Sequence, residues 1–107
     1  MKAFDDKEKA AEKKFVLAAE EEFKAEARRN KKIALWAAEL MNKDEAAAKA
    51  YITEVIMADM EEAGDDDVFR KVKADFSSAG VEISDVALRE KMQLLLEEAR
   101  QEISEGI

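Results

Sequence analysis

Along residues 23–41, FKAEARRNKKIALWAAELM, apolar side chains fall at Phe23, Ala27, Ala34, Ala37 and Met41, with Ile33, Trp36 and Leu40 beside them. Spacings of three and four put these positions on one face of a helix, so the stretch is expected to enter a core. The same period returns three times. Ile52, Val55, Ile56, Met60 and Ala63 form a second stripe over 45–63, and Val68, Phe69, Val72 and Phe76 a third over 66–79. Leu88, Met92, Leu95, Leu96, Ala99 and Ile103 form a fourth over 85–104. The residues between the stripes are stop and start signals. Asn42-Lys43-Asp44 ends the first helix and Asp44 caps the second. Gly64 and Gly80 offer left-handed stops after the second and third. Asp65-Asp66-Asp67 supplies a cap and negative charge at the start of the third. Ser84 caps the fourth, with Ile83 and Leu88 placed as a hydrophobic staple. The pattern predicts an all-α chain, an antiparallel four-helix bundle with helices at about 19–42, 45–63, 66–79 and 85–104. Short connections set sequential helices side by side.

Upstream the stripe thins. Asp5 and Glu8 have the spacing of a capping box after Phe4, but between residues 5 and 14 the only apolar side chains are Ala10 and Ala11. Lys9 and Lys13 repel at i,i+4. Phe4, Ala11, Phe15 and Ala18 nonetheless make a narrow line if the segment coils. With too little apolar area to offset its ordering entropy, such a segment folds against a partner rather than alone. Residues 1–18 are therefore expected to be a mobile arm, helical on binding, and residues 19–107 the bundle domain.

Composition sharpens this picture by exclusion. Proline is absent and glycine occurs three times in 107 residues, which favours helix throughout. The absence of Cys and His removes disulfides, the usual zinc sites, thiol nucleophiles and imidazole bases. No apolar run is long enough for a membrane span and no signal segment opens the chain, so a cytoplasmic location without direct membrane insertion is expected. The net charge of −8 conceals a gradient: residues 1–32 carry ten Lys/Arg and eight Asp/Glu, the rest eight and eighteen. An acidic body repels nucleic acid and anionic lipid. Arg28, Arg29, Lys31 and Lys32 fall mostly on the flank away from Trp36, as a solvated face or as a contact with the acidic body or an acidic partner.

Candidate chemistry is sparse. The acidic string Asp59, Glu61, Glu62, Asp65, Asp66, Asp67 lacks calcium-loop spacing, since counting from Asp65 puts Arg70 at the sixth position and Phe76 at the twelfth. No metal or cofactor is expected. The glycines stand alone at 64, 80 and 106, so no phosphate loop exists, although a nucleotide could dock on the flank around Arg28 and Arg29. Trp36 and Tyr51 read as core. Nothing indicates a closed pocket that would tune a carboxylate for acid/base work, so the chain is not expected to be an enzyme.

Three strings together resemble one family. FDDKEKAAEKKF at 4–15, FKAEARRNKKIALWAAEL at 23–40, and YITEV at 51–55 followed by ADMEEAGDDDVFRKVKAD at 58–75 are similar to the zeta subunit of alphaproteobacterial F-type ATP synthases. The likeness spans about the first three-quarters of the chain; the fourth helix matches in length and amphipathic character. It implies a four-helix regulatory protein that inhibits ATP hydrolysis by the synthase head. Its N-terminal segment would become helical as it inserts at a catalytic α/β interface and reaches toward the γ shaft, blocking hydrolytic rotation with much less effect on synthesis. By matching position, Phe4, Asp5, Asp6, Glu8, Glu12, Lys14 and Phe15 would belong to the inhibitory segment. Phe23, Arg28, Arg29, Asn30 and Lys31 would form an auxiliary contact. The resemblance also implies a protein at the periphery of the inner membrane, and the short-looped design reads as a monomer when free. The competing reading is a small helical adaptor or nucleotide-sensing binding module, in which the arm is a solvated tail.

Overall fold

The computed structural model describes residues 17–60 and 64–107. These form four helices, α1 (Ala19–Leu40), α2 (Glu45–Asp59), α3 (Asp66–Ala79) and α4 (Asp85–Ser104), with no strand among the described residues. Their ends follow the local chemistry. The Asp44 carboxylate accepts the Ala47 N–H at 2.8 Å and the Ser84 hydroxyl oxygen accepts that of Ala87 at 3.0 Å, satisfying donors that the first turns of α2 and α4 leave open. After α3, Gly80 adopts φ 76° while the Val81 N–H closes on the Phe76 carbonyl at 2.8 Å. That is a Schellman stop, which needs a left-handed residue. After α1 the same turn is built on Asn42, at φ 57°, with the Lys43 N–H on the Ala38 carbonyl.

Consecutive helices run antiparallel. Lys71 of α3 pairs with Glu54 of α2 at 2.7 Å, and one turn away Asp75 of α3 accepts the hydroxyl of Tyr51 of α2 at 2.8 Å. α1 packs against both α2 and α4: on the α4 side Leu17 and Ile103 pack on one small cluster with Ala25, Leu96 and Ala99, while Lys91 lies 5.5 Å from the Trp36 ring near the other end. The main core joins all four helices. Ile33, Ala34, Ala37 and Ala38 of α1 meet Tyr51 and Val55 of α2, Val68, Val72 and Phe76 of α3, and Leu88, Met92 and Leu95 of α4. Trp36 meets Phe76 edge-on at 5.6 Å.

Four details differ from the sequence pattern. Phe23 and Ala27 are exposed, and the inward positions in that part of α1 are Ala25, Arg29 and Asn30. Leu40 is exposed too. On α2 the buried pair is Tyr51 and Val55, while Ile56 and Met60 face outward. The helix stops at Asp59, and residues 61–63, where the pattern carried it further, lie outside the described residues. The cause is length. At about 1.5 Å per residue the 15-residue α2 is roughly 10 Å shorter than the 22-residue α1, so among the described residues the first turns of α1 reach past the end of α2 and keep α4 beside them. Finally, Asp65 makes no side-chain capping bond.

The chain's single tyrosine provides a direct check on the core. Burial, then the hydrogen bond to Asp75 and that residue's charge, pushes the Tyr51 phenol far above its usual value near 10. A proton held more tightly in the folded state contributes stability that is complete below the unfolded value and is lost as pH rises past it. The expected result is no tyrosinate absorbance at about pH 11 while the chain stays folded, with ionisation and unfolding coinciding at higher pH. A tyrosinate signal near pH 10 from folded protein would contradict the buried Tyr51–Asp75 bond.

Candidate functional site

The point where residues 1–16 join the bundle is held from two sides. Leu17 packs into the Ala25–Leu96–Ala99 cluster, and one turn into α1 the Glu22 carboxylate takes a bidentate pair from Arg100 of α4, at 2.6 and 2.9 Å. Glu20, Glu21 and Glu22 in the first turn suit the positive end of the helix dipole. The partner-binding residues expected on the arm, Phe4, Asp5, Asp6, Glu8, Glu12, Lys14 and Phe15, lie outside the described residues, as does the arm itself up to Val16.

The auxiliary set divides. Arg28 donates to Glu102 at 3.1 Å and to the Ile107 carbonyl at 2.7 Å, and Lys32 donates to Glu98 at 2.7 Å and Glu102 at 3.0 Å. These bases zip α1 to the acidic body rather than forming a bare solvated flank. Lys32, then Arg28, hold the Glu102 carboxyl below its usual range. Arg29 and Asn30 are buried outright, each 2 % exposed. The Arg29 guanidinium donates to the Asn30 amide oxygen at 2.7 Å and to Asp65 at 3.4 Å, with Asp59 at 3.9 Å. Asn30 in turn donates to Asp59 at 2.9 Å. One side chain thus ties α1 to the end of α2 and the entry of α3. Asp65 also faces Arg89 of α4, whose guanidinium covers the Phe69 ring at 3.9 Å and pairs with Asp66 at 2.9 Å. Asp65 and Asp66 are therefore occupied by arginines. Asp67 is buried, with one oxygen on Arg70 and the other without a hydrogen-bond partner among the described residues. Among the described residues no cluster of carboxylates has a metal-holding arrangement.

Phe23 and Lys31 are the exposed members of the set. Phe23, 74 % exposed, lines an open groove of about 250 Å³ with Ala27 and Asn30 of α1 and Ile56, Asp59 and Met60 at the end of α2. Its walls are mostly apolar, and Met60 is 79 % exposed. Glu26 stands at the edge, between this groove and a second cavity of about 190 Å³ lined by Arg29, Gly64, Asp65 and Leu96. Burial first, then Glu22 and Asp59 against the opposing pull of Arg29, hold the Glu26 carboxyl above its usual range. The sequence pattern missed this groove, because Ile56 and Met60 sit at helical spacing with the true core residue Val55 and carry no mark of exposure.

No helix among the described residues is long and apolar enough to cross a membrane. A family model described as "ATPase inhibitor subunit zeta" matches residues 1–102. Among solved structures, a solution NMR structure of a protein is 41 % identical; the match covers 79 % of this chain and 96 % of that one, with a TM-score of 0.67. Comparison with curated proteins gave no match.

Proposed function

This chain belongs to the ATPase inhibitor subunit zeta family, and from that premise we propose that it inhibits ATP hydrolysis by the head of an F-type ATP synthase, with residues 1–18 as effector and the bundle as holder. The observation that carries the reading is the extent of the family match, which includes the whole N-terminal segment and all but the last turn of the four helices. In this mechanism the segment coils as it enters a catalytic α/β interface. Phe4 and Phe15 bury as apolar anchors, since interface energy concentrates in buried aromatic side chains, and Asp5, Asp6, Glu8, Glu12 and Lys14 set register in a polar cleft. Closing of that interface around the coiled segment, with contact toward the γ shaft, stops hydrolytic rotation. The protein contributes no reacting group; it acts by occupying space that the cycle requires. The bundle's task is geometric. Leu17 and the Glu22–Arg100 pair hold the start of α1 against α4, the base from which the segment would act.

Through its partner the chain sits at the membrane periphery. The test is to titrate the full chain into a purified cognate head and follow ATP hydrolysis, with ATP synthesis by the coupled enzyme as a parallel reading. Saturable inhibition of hydrolysis, with synthesis much less affected, is expected. Hydrolysis unchanged at saturating chain would overturn the proposal.

A further inference from the structure

The bundle has two cores that share no residue. The main one draws on all four helices, whereas Ala25, Leu96 and Ala99, with Leu17 and Ile103 partly buried against them, lie at the start of α1 and the end of α4. On α1 the two cores are divided by Arg29 and Asn30, buried polar residues that turn to Asp65 at the entry of α3 and Asp59 at the end of α2. From residue 29 onward α1 is therefore tied to α2 and α3. Before it, the one buried side chain of α1 among the described residues is Ala25, and it meets α4. The smaller core is a weak hold. Two of its three buried side chains are alanines, and burial stabilises in proportion to the apolar area removed from water. The Glu22–Arg100 and Arg28–Glu102 pairs beside it are partly exposed, and ion pairs open to water contribute little. Glu26 works against closure. It is faced by Glu22 and Arg29 of its own helix, Asp59 of α2 and Arg100 of α4, and shares a cavity of about 190 Å³ with Arg29, Gly64, Asp65 and Leu96. It makes no hydrogen bond or ion pair with a described residue. Burial, then Glu22, raise its pKa, so its charge at neutral pH costs more in the closed protein than in water. Parting α1 from α4 returns that carboxylate to water.

We infer that residues 19–28 of α1 and 96–104 of α4 form a latch that opens and closes as one unit while the main core stays intact, with the Glu26 carboxylate as its weak point. Stability that is uneven along a structure produces such cooperative local openings. The inference goes beyond the inhibitor reading and does not depend on it, since the latch is a property of the free chain. The start of α1 can leave α4 without unfolding the bundle, and the Arg29–Asn30 layer is where the opening stops.

The test is amide hydrogen exchange of the free full chain, followed residue by residue by NMR at pH 7 in increasing urea below the unfolding transition. The chains are the wild type, Glu26→Gln and Val55→Ala. In the wild type, amides 23–28 and 97–103 are expected to share one opening constant, about tenfold or more above that of amides 34–38 and 89–95. Their exchange should also depend less on urea, because the opening exposes less surface than global unfolding. Glu26→Gln keeps the shape and removes the charge. It should slow exchange about threefold or more on both sides of the latch, including α4, where nothing was changed. Val55→Ala trims the main core and should speed amides 34–38 and 89–95 about tenfold while leaving the latch amides as they were. Equal protection of latch and main core in the wild type, or a fast α1 start beside an α4 end as slow as the core, overturns the paired unit. Latch amides that speed up with Val55→Ala overturn its independence from the main core. Exchange unchanged in Glu26→Gln overturns that carboxylate as the weak point.

Discussion

Removing residues 1–18 is expected to abolish inhibition of ATP hydrolysis while leaving a folded bundle. The two halves of this result have separate causes. On the proposed mechanism, inhibition is lost because the segment assigned to the α/β interface is gone, and nothing left in the chain supplies a second aromatic line of the Phe4–Phe15 kind. The fold survives because the main core draws on residues from Ile33 onward. Of the described residues deleted, Leu17 packs on a core cluster, the smaller one, and it is only partly buried there. Its loss costs on the order of 1 kcal/mol at the start of α1, against an overall stability of about 5–15 kcal/mol for a domain of this size. Circular dichroism and thermal melting of the shortened chain, beside its titration into the head, make the check. A shortened chain that still inhibits would move the effector into the bundle.

The second large effect concerns stability. Arg29→Ala is expected to cost about 3 kcal/mol or more, because removing one partner of a buried ion pair strands the others. Asn30, itself buried, loses the donor on its amide oxygen, and the carboxylates of Asp59 and Asp65 lose their shared cation. Asp59 at 23 % and Asp65 at 44 % exposure keep some water, which places the cost at the lower end of the range for such losses. Arg28→Ala is the control. Its pair with Glu102 is partly solvated on both sides, so the change should cost about 1 kcal/mol or less. Urea unfolding of both variants measures the difference. Equal, small costs would mean that water, not Asp59 and Asp65, satisfies the Arg29 guanidinium.

Arg29 also shows where the sequence is readable and where it is not. The fourth helix is legible almost residue by residue, since Leu88, Met92, Leu95, Leu96 and Ala99 are all buried and Ser84 caps as its position suggests. Local chemistry decides such features, and local chemistry is written in the sequence. In the run Arg28-Arg29-Asn30-Lys31-Lys32, helical period alone gives every base the same standing, as part of a flank. Which one is buried depends on Asp59 and Asp65, 30 or more residues away and brought near by the packing of α1 against the end of α2 and the entry of α3. Phe23 fails in the opposite sense. Its spacing is that of a core residue, but burial needs a neighbour, and α2 ends before covering it. Periodicity reports which side of a helix is apolar; it does not report how far the neighbouring helix extends. The groove at Phe23, Ile56 and Met60 is therefore visible only in three dimensions.

The zipper between α1 and α4 has a bearing on the order in which the chain assembles. Arg28–Glu102, Lys32–Glu98 and Glu22–Arg100 join residues 66 to 78 positions apart, whereas Glu54–Lys71 and Lys73–Asp85 join near neighbours. Closing a long loop costs more entropy than closing a short one, so the α2–α3 and α3–α4 hairpins can form early and the terminal helices meet late. The last seam to close is the one that holds Leu17 and the first turn of α1 against α4. On the proposed reading, a nascent or partly opened chain lacks a fixed root for its effector segment, and inhibition would arrive only with the final step of folding.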